Sequence, residues 1–498
     1  MSSNWPLVQL SELISIKHGF AFKGEFFSDT STDTVLVTPG NFAIGGGFKA
    51  EKLKFYNGPI PVEYKLEADD LIVTMTDLSK QADTLGYSAL VPEHSGRLYL
   101  HNQRIGLVDI KSQELDKLYL YFLMRSREYR HHVVSSATGS TVKHTSPSKI
   151  TSFQFHLPPL EIQKNIGRSL KHLEDKAAIN HQINQTLEQM AQAIFKSWFV
   201  DFEPVKAKIS ALEAGGSEED ALLAAMRVIA GDAQGCANAA GGRMPGAAKG
   251  DKLTRLQAEQ PEQYAELRAT AELFPSAMQE IELGEIPEGW NVSQIGDEVT
   301  VVGGGTPSTK NPDFWESGEI NWTSPKDLSN LADKVLVETE RKVTEAGLAK
   351  ISSGLLPVDT VLMSSRAPVG YLALAKIPVA VNQGYIAMKC EKALSPEFVI
   401  QWCAAHMDEI KSRASGTTFA EISKKNFKII PVVMPSEPLI SAYSKQVSSL
   451  YNAIENNVRE SDSLASLRDT LLPRLLSGEL SVTNPETHLA QEAKPANV

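Results

Sequence analysis

Cysteine is scarce in this chain of 498 residues, which contains only three: Cys236, Cys390 and Cys403. None has a ligand-like spacing to histidine or to another cysteine, so neither a disulfide framework nor a zinc site is indicated. No stretch approaches the roughly 20 apolar residues that a membrane-spanning helix needs, and Met1 to Leu10 lacks the basic and then apolar run of a signal peptide. We therefore expect a cytoplasmic protein with no membrane partner.

The chain also has no excess of basic residues, and its formal net charge is -11. An acidic cytosolic protein would explain this sum, but the distribution is uneven. Residues 1–158 hold 16 Lys and Arg against 16 Asp and Glu, residues 291–435 hold 15 against 16, and residues 201–290 hold 8 against 16. The negative charge is thus concentrated in a middle segment. The two nearly neutral regions can each present a locally basic face to phosphate groups.

Catalytic motifs are absent as well. The N-P-P-[FY] tetrapeptide of adenine methyltransferases does not occur, and Asn311-Pro312-Asp313-Phe314 only half matches it. There is no clustered acidic nuclease signature, and Lys310 is not preceded by the glycine of a nucleotide-binding loop. The sequence therefore predicts no catalytic residues and no cofactor or metal bound by this chain.

What the sequence does contain is an internal repeat of about 280 residues. This period is far longer than that of a solenoid and indicates duplicated domains. The matched residues keep their order while the offset changes by a few residues, as loop insertions would cause: Trp5 with Trp290, Gly19 with Gly304, Asp70 with Asp359, Gly86 with Gly370, Asn102 with Asn382, Gly139 with Gly416, Ser146 with Ser423 and Pro158 with Pro435.

Each copy is followed by a long helical pattern in which one face recurs at alternating spacings of four and three residues, from Ile166 to Trp198 and from Tyr443 to Leu475. This is the pattern of a coiled-coil seam, and each helix of about 40 residues would be about 60 Å long. Asn180 and Asn457 occupy the same seam position in the two copies. Either this face is exposed to water there, or the two amides are buried and fix the register.

The repeats and helices give the domain organisation. We predict an α+β protein in which the globular parts mix short strands with loops, and in which short helices lie around Glu219–Ile229 and Leu253–Leu273. The predicted segments are residues 1–158, first domain; 159–202, first long helix; 203–285, acidic connector with an Ala/Gly-rich linker; 286–435, second domain; 436–480, second long helix; and 481–498, disordered tail.

This order resembles the specificity subunits of type I restriction-modification enzymes over nearly the whole chain. The resemblance is carried by four strings in the expected order: Ser197-Trp198-Phe199-Val200-Asp201-Phe202, Leu283-Gly284-Glu285-Ile286-Pro287-Glu288-Gly289-Trp290, Gly305-Thr306-Pro307-Ser308, and Leu471-Leu472-Pro473-Arg474-Leu475-Leu476-Ser477-Gly478. It implies two duplicated α/β target-recognition domains joined by two long antiparallel coiled-coil helices with pseudo-two-fold symmetry.

The resemblance also implies function and partners. The domains would read the two halves of a bipartite, asymmetric site in double-stranded DNA, and the helix pair would bind two modification subunits that methylate adenine. Restriction subunits, which are ATP-dependent translocases and nucleases, would complete the complex. S-adenosylmethionine would then belong to the modification subunits, and ATP with Mg²⁺ to the restriction subunits.

In the second domain, the loop Gly303–Lys310 offers main-chain N–H groups, hydroxyls and a cation to a DNA phosphate, although an ordinary tight turn would look similar. Its candidate contacts are Thr306, Ser308, Thr309 and Lys310. Ser365 and Arg366 follow an apolar strand, and the forked guanidinium of Arg366 suits guanine or phosphate. A surface ion pair is the alternative for Arg366. The first domain has Asp77 at the aligned position, so this contact cannot be shared.

In the first domain, the matching loop carries Lys17, His18 and Lys23 together with aromatic residues. Asn-Gln recurs at 102–103 and 382–383, and sharing between domains that read different sequences favours a structural role, which leaves Arg104 as the DNA contact. Two further loops look like paired phosphate sites. Their candidates are Ser140, Thr141, Lys143 and His144 in the first domain, and Thr417, Thr418 and Lys424 in the second.

Two other functions remain open at this stage. A methyltransferase whose motifs are not recognisable would bind S-adenosylmethionine by itself. A coiled-coil assembly protein would show no sequence preference on duplex DNA.

Overall fold

A computed structural model describes residues 5–51, 53–79, 81–93, 96–231, 252–282, 284–416 and 420–481. The chain divides into two compact units. The first unit comprises Met1–Ala177 and Asp462–Val498, and the second comprises Ala178–Ser461. Both boundaries fall inside the long helices, so each unit contains one globular domain and a part of each helix.

The first unit is built around short strands. Its strands are β1 Leu7–Gln9, β2 Ile14–His18, β3 Phe27–Ser28, β4 Thr34–Val37, β5 Lys54–Tyr56, β6 Lys65–Leu66, β7 Leu71–Thr74, β8 Thr76–Asp77, β9 Ser88–Leu90, β10 Leu98–His101, β11 Ile105–Ile110, β12 Lys143–His144 and β13 Gln154–His156. Its helices are α1 Leu10–Leu13, α2 Lys117–Leu123, α3 Arg127–Ser135, α4 Pro147–Thr151 and the first long helix α5 Leu160–Phe199, which continues into the second unit.

Two sheets organise this unit, a four-stranded sheet in the order β2-β11-β7-β9 and a five-stranded sheet in the order β3-β5-β4-β10-β6. Strand β7 is buried along its whole length. Because successive side chains point to opposite faces of a sheet, Leu71 and Val73 enter one core while Ile72 enters another. This explains why the strand is a continuous apolar run rather than an alternating pattern.

The second unit repeats this plan. Its strands are β14 Met278–Ile281, β15 Gly284–Pro287, β16 Asn291–Gln294, β17 Thr300–Val302, β18 Ile320–Thr323, β19 Val335–Leu336, β20 Arg341–Val343, β21 Val361–Ser364, β22 Leu372–Ala375, β23 Ala380–Val381, β24 Tyr385–Lys389 and β25 Pro431–Met434. Its helices are α6 Glu203–Glu213, α7 Glu218–Ile229, α8 Lys252–Glu259, α9 Pro261–Glu272, α10 Ile295–Glu298, α11 Pro325–Asn330, α12 Glu345–Leu348, α13 Pro396–Ala405, α14 Met407–Ser412, α15 Lys424–Lys428 and the second long helix α16 Glu437–Leu476.

The central sheet of the second unit has the order β17-β24-β21-β22-β19, in which β17, β24, β21 and β22 correspond to β2, β11, β7 and β9. Strand β21 also contributes side chains to two cores, with Val361 and Met363 buried in one and Leu362 in the other. The parallel pair of β4 with β10 recurs as β18 with β23. The predicted α+β duplication is therefore confirmed at the level of strand order.

The long helices pack against each other within each unit. In the first unit, Ile166 and Leu170 of α5 share a core with Leu472 and Leu475 of α16. In the second unit, the Asn457 amide donates to Asn184 Oδ1 at 2.8 Å, and the Tyr451 hydroxyl donates to Glu188 Oε2 at 3.0 Å. Later residues of α5 thus meet earlier residues of α16, so the helices run antiparallel.

The seam amides of the second unit are largely buried. Asn180 is 0% exposed and donates to Glu460 Oε2 at 2.7 Å, while Asn457 is half-buried. The direct partner of the Asn457 amide is Asn184, which is 1% exposed and also donates to Asp333 Oδ2 at 2.9 Å. The burial interpretation is therefore confirmed for Asn180. The amide-to-amide pair, however, forms one helical turn away from it.

The connector packs on the second domain. Phe202, Val205 of α6 and Phe274 lie in the same core as Trp290 and the end of α5. Helices α7, α8 and α9 cover the stretches where short helices were predicted. Helix α6 and the β14–β15 hairpin were not predicted from the sequence. Most of the Ala/Gly-rich linker and of the predicted tail lies outside the described residues.

Candidate nucleic-acid interface

Several predicted contacts of the first domain meet at one edge of its four-stranded sheet. His18 ends β2, Ile105 begins β11, and Thr74 ends β7. Because these neighbouring strands are antiparallel, the three ends lie side by side, with His18 opposite Gly106 and Thr74 opposite Ile105. This arrangement brings Lys17 and His18 close to the turn that carries Arg104.

A third loop joins this edge through main-chain hydrogen bonds. Met75 N donates to Arg104 O at 2.9 Å, and Thr145 N donates to Met75 O at 3.0 Å. Lys143 and His144 form β12, which pairs with β8. We call His18–Gly19, Thr74–Thr76, Asn102–Ile105 and Lys143–Thr145 the first loop edge.

The second domain builds the same frame. Ser365 N donates to Gly384 O at 2.8 Å, and Ile422 N donates to Ser365 O at 3.0 Å. Gly305 N donates to Val381 O at 2.9 Å, as Phe20 N donates to His101 O at 2.9 Å in the first domain. We call Gly303–Gly304, Ser364–Arg366, Asn382–Tyr385 and Ala420–Ile422 the second loop edge.

Two details of the sequence alignment are corrected by this frame. Asp69 corresponds to Asp359, because both have positive φ angles, 67° and 64°, and donate to a neighbouring strand, Asp69 N to Val91 O at 2.8 Å and Asp359 N to Ala375 O at 2.7 Å. The match of Asp70 with Asp359 predicted from the sequence is therefore wrong by one residue. In the same way Arg366, paired with Glu421, corresponds to Thr76, paired with His144, and not to Asp77.

Asp77 has no carboxylate counterpart at the matched position, because Ala367 follows Arg366 in the second domain. Its carboxylate accepts hydrogen bonds from Ser79 N at 2.6 Å and from the Thr84 hydroxyl at 2.7 Å. Burial raises the pKa of Asp77, but hydrogen bonds from the Ser79 and Thr84 main chain outweigh burial and lower the pKa below its usual value. The ionised carboxylate therefore organises the loop that follows β8.

The conserved geometry of the Asn-Gln pair comes from its asparagine. Asn102 Oδ1 accepts from Arg104 N at 3.0 Å, and Asn382 Oδ1 accepts from Gly384 N at 2.8 Å. Each side chain thus closes a turn on its own main chain. The structural interpretation of the shared asparagine is confirmed, and the Arg104 side chain remains exposed.

The basic side chains near the first loop edge differ in how firmly they are held. Lys17 Nζ donates to Glu63 O at 2.7 Å and lies 4.9 Å from the Tyr64 ring centroid. Lys23 is exposed, and its Nζ lies 3.6 Å from Glu25 Oε1. Burial, with the nearby charges of Lys17 and His18, lowers the pKa of His101 to about 4. This buried imidazole is therefore neutral at pH 7 and adds no positive charge beneath the edge.

The tip of the third loop faces solvent. Ser140 and Thr141 are exposed between Thr138 and His144, whose main chains exchange hydrogen bonds of 2.9 and 2.8 Å. His144 Nδ1 lies 3.2 Å from the Thr76 hydroxyl, and Lys143 is half-buried opposite Asp77. The corresponding tip of the second domain contains Thr417 and Thr418, which lie outside the described residues.

The second loop edge carries a different set of side chains. Arg366 is half-exposed and lies 3.7 Å from Glu421, so the ion pair that the sequence left open is present. Ser365 is 4% exposed and lies 3.4 Å from the same carboxylate. The exposed Lys424 begins α15 and packs against the Gly303 Cα, where an added Cβ would be only 2.6 Å from Nζ.

The loop Gly303–Lys310 extends from this edge. The Thr306 hydroxyl donates to Gln383 Oε1 at 2.7 Å, which joins the loop to the Asn-Gln turn. Ser308, Thr309 and Lys310 are exposed. Trp315, Trp322 and Arg341 lie beside this loop and were missed by the sequence analysis. The available signal was the position of two of the six tryptophans directly after a glycine-rich loop.

The described part of the chain contains no group of three or more His, Cys, Asp or Glu side chains arranged to hold a metal ion. None of its helices is long and apolar enough to cross a membrane.

The duplicated domain is that of a known class. A family model described as the type I restriction modification DNA specificity domain matches residues 2–189 and 287–461. The match covers more than half of the chain, so this protein belongs to the family of type I specificity proteins, and the predicted family is confirmed.

Two relatives agree with this assignment at the level of sequence. The chain is 30% identical over 419 residues to the type I restriction enzyme HindI specificity subunit of Haemophilus influenzae, covering 80% of this chain and 87% of that protein. It is 32% identical over 196 residues to the MjaIX specificity subunit of Methanocaldococcus jannaschii, covering 39% and 45%. A crystal structure of a type I restriction-modification S subunit from M. genitalium matches 95% of this chain and 96% of its own, with 15% identity and a TM-score of 0.47.

Proposed function

We propose that this chain is the DNA-reading subunit of a type I restriction-modification complex and recognises a bipartite, asymmetric site in double-stranded DNA. The observation that carries the proposal is the pair of loop edges, in which one hydrogen-bonded frame presents two different sets of side chains. A shared frame lets both domains approach the DNA backbone in the same way. Different side chains on it let each domain prefer its own bases, because phosphate contacts position a protein and base contacts specify sequence.

The chemistry of the candidate contact residues agrees with this division. Lys143 and Lys310 are point charges suited to phosphate, whereas Arg104 and Arg366 carry planar forks that can bond two acceptors of guanine at once. The Arg366 fork would exchange its exposed contact with Glu421 for a base or a phosphate. An exposed ion pair is worth about 0–1 kcal/mol, so this exchange costs little.

The long helices offer a surface for partner subunits. Met190 on α5 and Leu467 on α16 occupy matching positions of the repeat, and they are 47% and 46% exposed. Ile179 and Ile183 add exposed apolar area on α5. Exposed apolar helix faces are typical of binding surfaces. We therefore assign these surfaces to two modification subunits, one bound at Met190 and the other at Leu467.

The chemistry itself is assigned to the partners. The chain lacks the methyltransferase, nuclease and nucleotide-binding motifs, so we propose that it is not catalytic, that the modification subunits bind S-adenosylmethionine and methylate adenine, and that the restriction subunits use ATP and Mg²⁺. The complex would act on DNA in the cytoplasm.

Mapping of methylated adenines tests the proposal. The chain is co-expressed with the modification subunit of its own system in a host without adenine methyltransferases, and the genome is read for modified bases. We expect one motif with two defined halves separated by a fixed, unspecified gap. Methylation without such a motif, or S-adenosylmethionine binding by the isolated chain, would contradict the assignment.

Partner binding has its own test. Met190→Glu and Leu467→Glu should each reduce the number of modification subunits per chain from two to one, as measured by native mass spectrometry. Gln189→Glu and Ser466→Glu are matched controls, since they place the same charge at exposed neighbouring positions that also correspond in the repeat. Two bound subunits in both Met190→Glu and Leu467→Glu would exclude these surfaces.

A further inference from the structure

Two tryptophan side chains donate hydrogen bonds to main-chain carbonyls of the Gly303–Lys310 loop. Trp322 Nε1 donates to Gly305 O at 3.1 Å, and Trp315 Nε1 donates to Ser308 O at 3.1 Å. The indole N–H can only donate, so each bond fixes the direction of one loop carbonyl. The two bonded carbonyls are three residues apart and bracket Thr306.

The two indoles are themselves held in place. Their ring centroids are 5.1 Å apart, and the ring planes meet at 90°, the edge-to-face geometry that aromatic pairs favour. Trp322 is 4% exposed and shares a small core with Val343, Ile351 and Ala380. The N–H groups therefore come from a packed platform rather than from mobile surface side chains.

A cation covers the outer face of this platform. The Arg341 guanidinium carbon lies 3.5 Å from the Trp315 ring centroid and 5.5 Å from that of Trp322. Arg341 is exposed, and its main chain pairs with Trp322 in the β18–β20 ladder. Stacking on an indole orients the guanidinium while leaving its N–H groups free at the rim to meet an anion.

The rest of the loop is fixed at both ends. Gly305 N donates to Val381 O at 2.9 Å, the Thr306 hydroxyl donates to Gln383, and Asn311 N donates to Ser308 O at 3.2 Å. The hydroxyls and cation that follow, from Ser308 to Lys310, remain at the surface. A loop held in this way loses little conformational entropy when it binds.

We infer that Trp315 and Trp322 are positioning residues that hold Gly303–Lys310 in its DNA-binding shape, and that Arg341, stacked on Trp315, is an additional phosphate contact of the second domain. The inference rests on the proposed function. The first domain has no such platform, because its only tryptophan is Trp5. There the matching loop runs through a cluster of Phe20, Phe22 and Tyr64.

The positioning role is tested by Trp315→Phe and Trp322→Phe, which keep an aromatic ring and remove the N–H. Trp402→Phe is the matched control, because Trp402 is buried in the same unit and its indole N–H has no hydrogen-bond partner among the described residues. Amide hydrogen exchange of residues 303–310 should become about fivefold faster in each test variant, as expected for the loss of one hydrogen bond, and should stay unchanged in the control.

The same variants are then assayed with duplex DNA in the complex with modification subunits. Their Kd should rise by about fivefold on the cognate duplex and on duplexes altered in either half-site, because the loop contacts backbone. Unchanged exchange and unchanged Kd in both variants would overturn the positioning role. If the wild-type complex itself shows no sequence preference, the proposed function fails, whereas the exchange measurement still decides whether the indoles hold the loop.

Arg341→Gln tests the phosphate contact separately, since glutamine keeps a polar side chain without the charge. The slope of log Kd against log salt should become shallower by about 0.9, the value for one lost phosphate contact on B-DNA. Arg413→Gln is the control, because Arg413 is bound to Glu409 at 2.7 Å on its own helical segment. A salt slope for Arg341→Gln equal to that of the control would exclude the contact.

Discussion

The two loop edges differ in their side chains far more than in their main chains. The bond from Phe20 N to His101 O and the bond from Gly305 N to Val381 O both measure 2.9 Å. At one matched position, however, the first domain places Thr76 beside His144 at 3.2 Å, and the second places Arg366 beside Glu421 at 3.7 Å. The frame depends on main-chain N–H and C=O groups, which every residue except proline has, and it therefore tolerates replacement of the side chains that face DNA.

The attachment of each domain to the long helices is less alike in the two units than the loop-edge frame is. In the first unit, Glu174 of α5 accepts from Arg125 at 2.5 Å and from the Tyr121 hydroxyl at 3.0 Å. In the second unit, Glu188 of α5 binds Lys334 at 2.8 Å and accepts from Tyr451 at 3.0 Å. Both units use a largely buried carboxylate that binds one cation and one tyrosine hydroxyl, but Tyr121 belongs to α2 of the first domain, whereas Tyr451 belongs to the second long helix α16. Unlike the loop-edge frame, these attachments have diverged between the copies.

The largest loss of stability is expected from substitutions of glycines at which the main-chain frame leaves no room for a side chain. A Cβ on Gly304 would lie 1.6 Å from Val381 O, and one on Gly19 would lie 2.1 Å from Asn102 O. Gly304→Ala and Gly19→Ala should each lower the free energy of unfolding by about 3 kcal/mol or more, because main-chain atoms must move.

Chemical denaturation measures this loss, and Gly305→Ala and Gly24→Ala serve as controls. The nearest atom to a Cβ on Gly305 is 3.6 Å away, and nothing lies within 4 Å of one on Gly24. The controls should stay within about 0.5 kcal/mol of the wild type. If Gly304→Ala and Gly19→Ala were equally mild, the shared frame would not depend on close approach of the main chains.

A smaller effect, which depends on pH, is expected at Glu188. Burial raises the pKa of Glu188, but the Lys334 ammonium and hydrogen bonds from Lys334, Gln192 and Tyr451 outweigh burial and lower the pKa below its ordinary 4.5. Since the pKa is lower in the folded state, the stabilisation is complete above the unfolded value and is lost as the pH falls through the folded value.

Glu188→Gln should therefore destabilise the second unit by about 2 kcal/mol at pH 7, the usual worth of hydrogen bonds to a charged group, and should weaken the loss of stability below pH 4.5. Thermal unfolding between pH 3 and pH 7 measures both effects. Glu338→Gln changes an exposed carboxylate of the same unit and should leave the pH profile unchanged. Identical acid profiles for wild type and Glu188→Gln would rule out this contribution.

Arg366→Ala tests whether the second loop edge reads a half-site that the first loop edge does not read. We expect the affinity of the complex to fall about tenfold only through the half-site read by the second domain, as for the loss of one base contact. Competition with duplexes altered in one half-site at a time measures this. An equal loss on every sequence would assign Arg366 to a phosphate, and no loss would leave the Glu421 ion pair as its role.

The smallest effects should come from one candidate phosphate-binding lysine of each domain, Lys143 in the first and Lys310 in the second. Lys143→Ala and Lys310→Ala should each make the salt dependence of binding shallower by about 0.9 without changing the preferred sequence. Titrations at several salt concentrations measure this slope. A change of sequence preference in either variant would mean that the lysine reads a base.

Most of the fold was visible in the sequence because it is periodic or duplicated. The coiled-coil seam repeats over 40 residues in both α5 and α16, and the glycines of the loop edges recur where main chains approach closely. The hairpin β14–β15 and helix α6 occur once, so no second copy marked them. The match of Asp359 with Asp69 rather than Asp70 depends on a positive φ angle and on a main-chain hydrogen bond to a neighbouring strand, which the sequence pattern does not contain.

The candidate interface was predicted less completely, for a physical reason. Lysine, arginine and hydroxyl side chains in a loop indicate a phosphate site, because these groups donate hydrogen bonds to phosphate. The roles of Trp315 and Trp322 depend instead on hydrogen bonds that form only in the folded chain. Asn184 was on the predicted seam, yet its pairing with Asn457 follows from the antiparallel packing of α5 and α16. The sequence shows which side chains could contact DNA, but only the folded structure shows which of them are fixed in position by hydrogen bonds.

Replacement of one domain tests the central claim most directly. Residues 286–435 are exchanged for the matching domain of the Haemophilus influenzae relative, and the complex with modification subunits selects its preferred duplexes from a randomised pool. We predict that one half of the selected motif changes while the other half is kept. A change in both halves, or in neither, would contradict the view that each loop edge reads its own half-site.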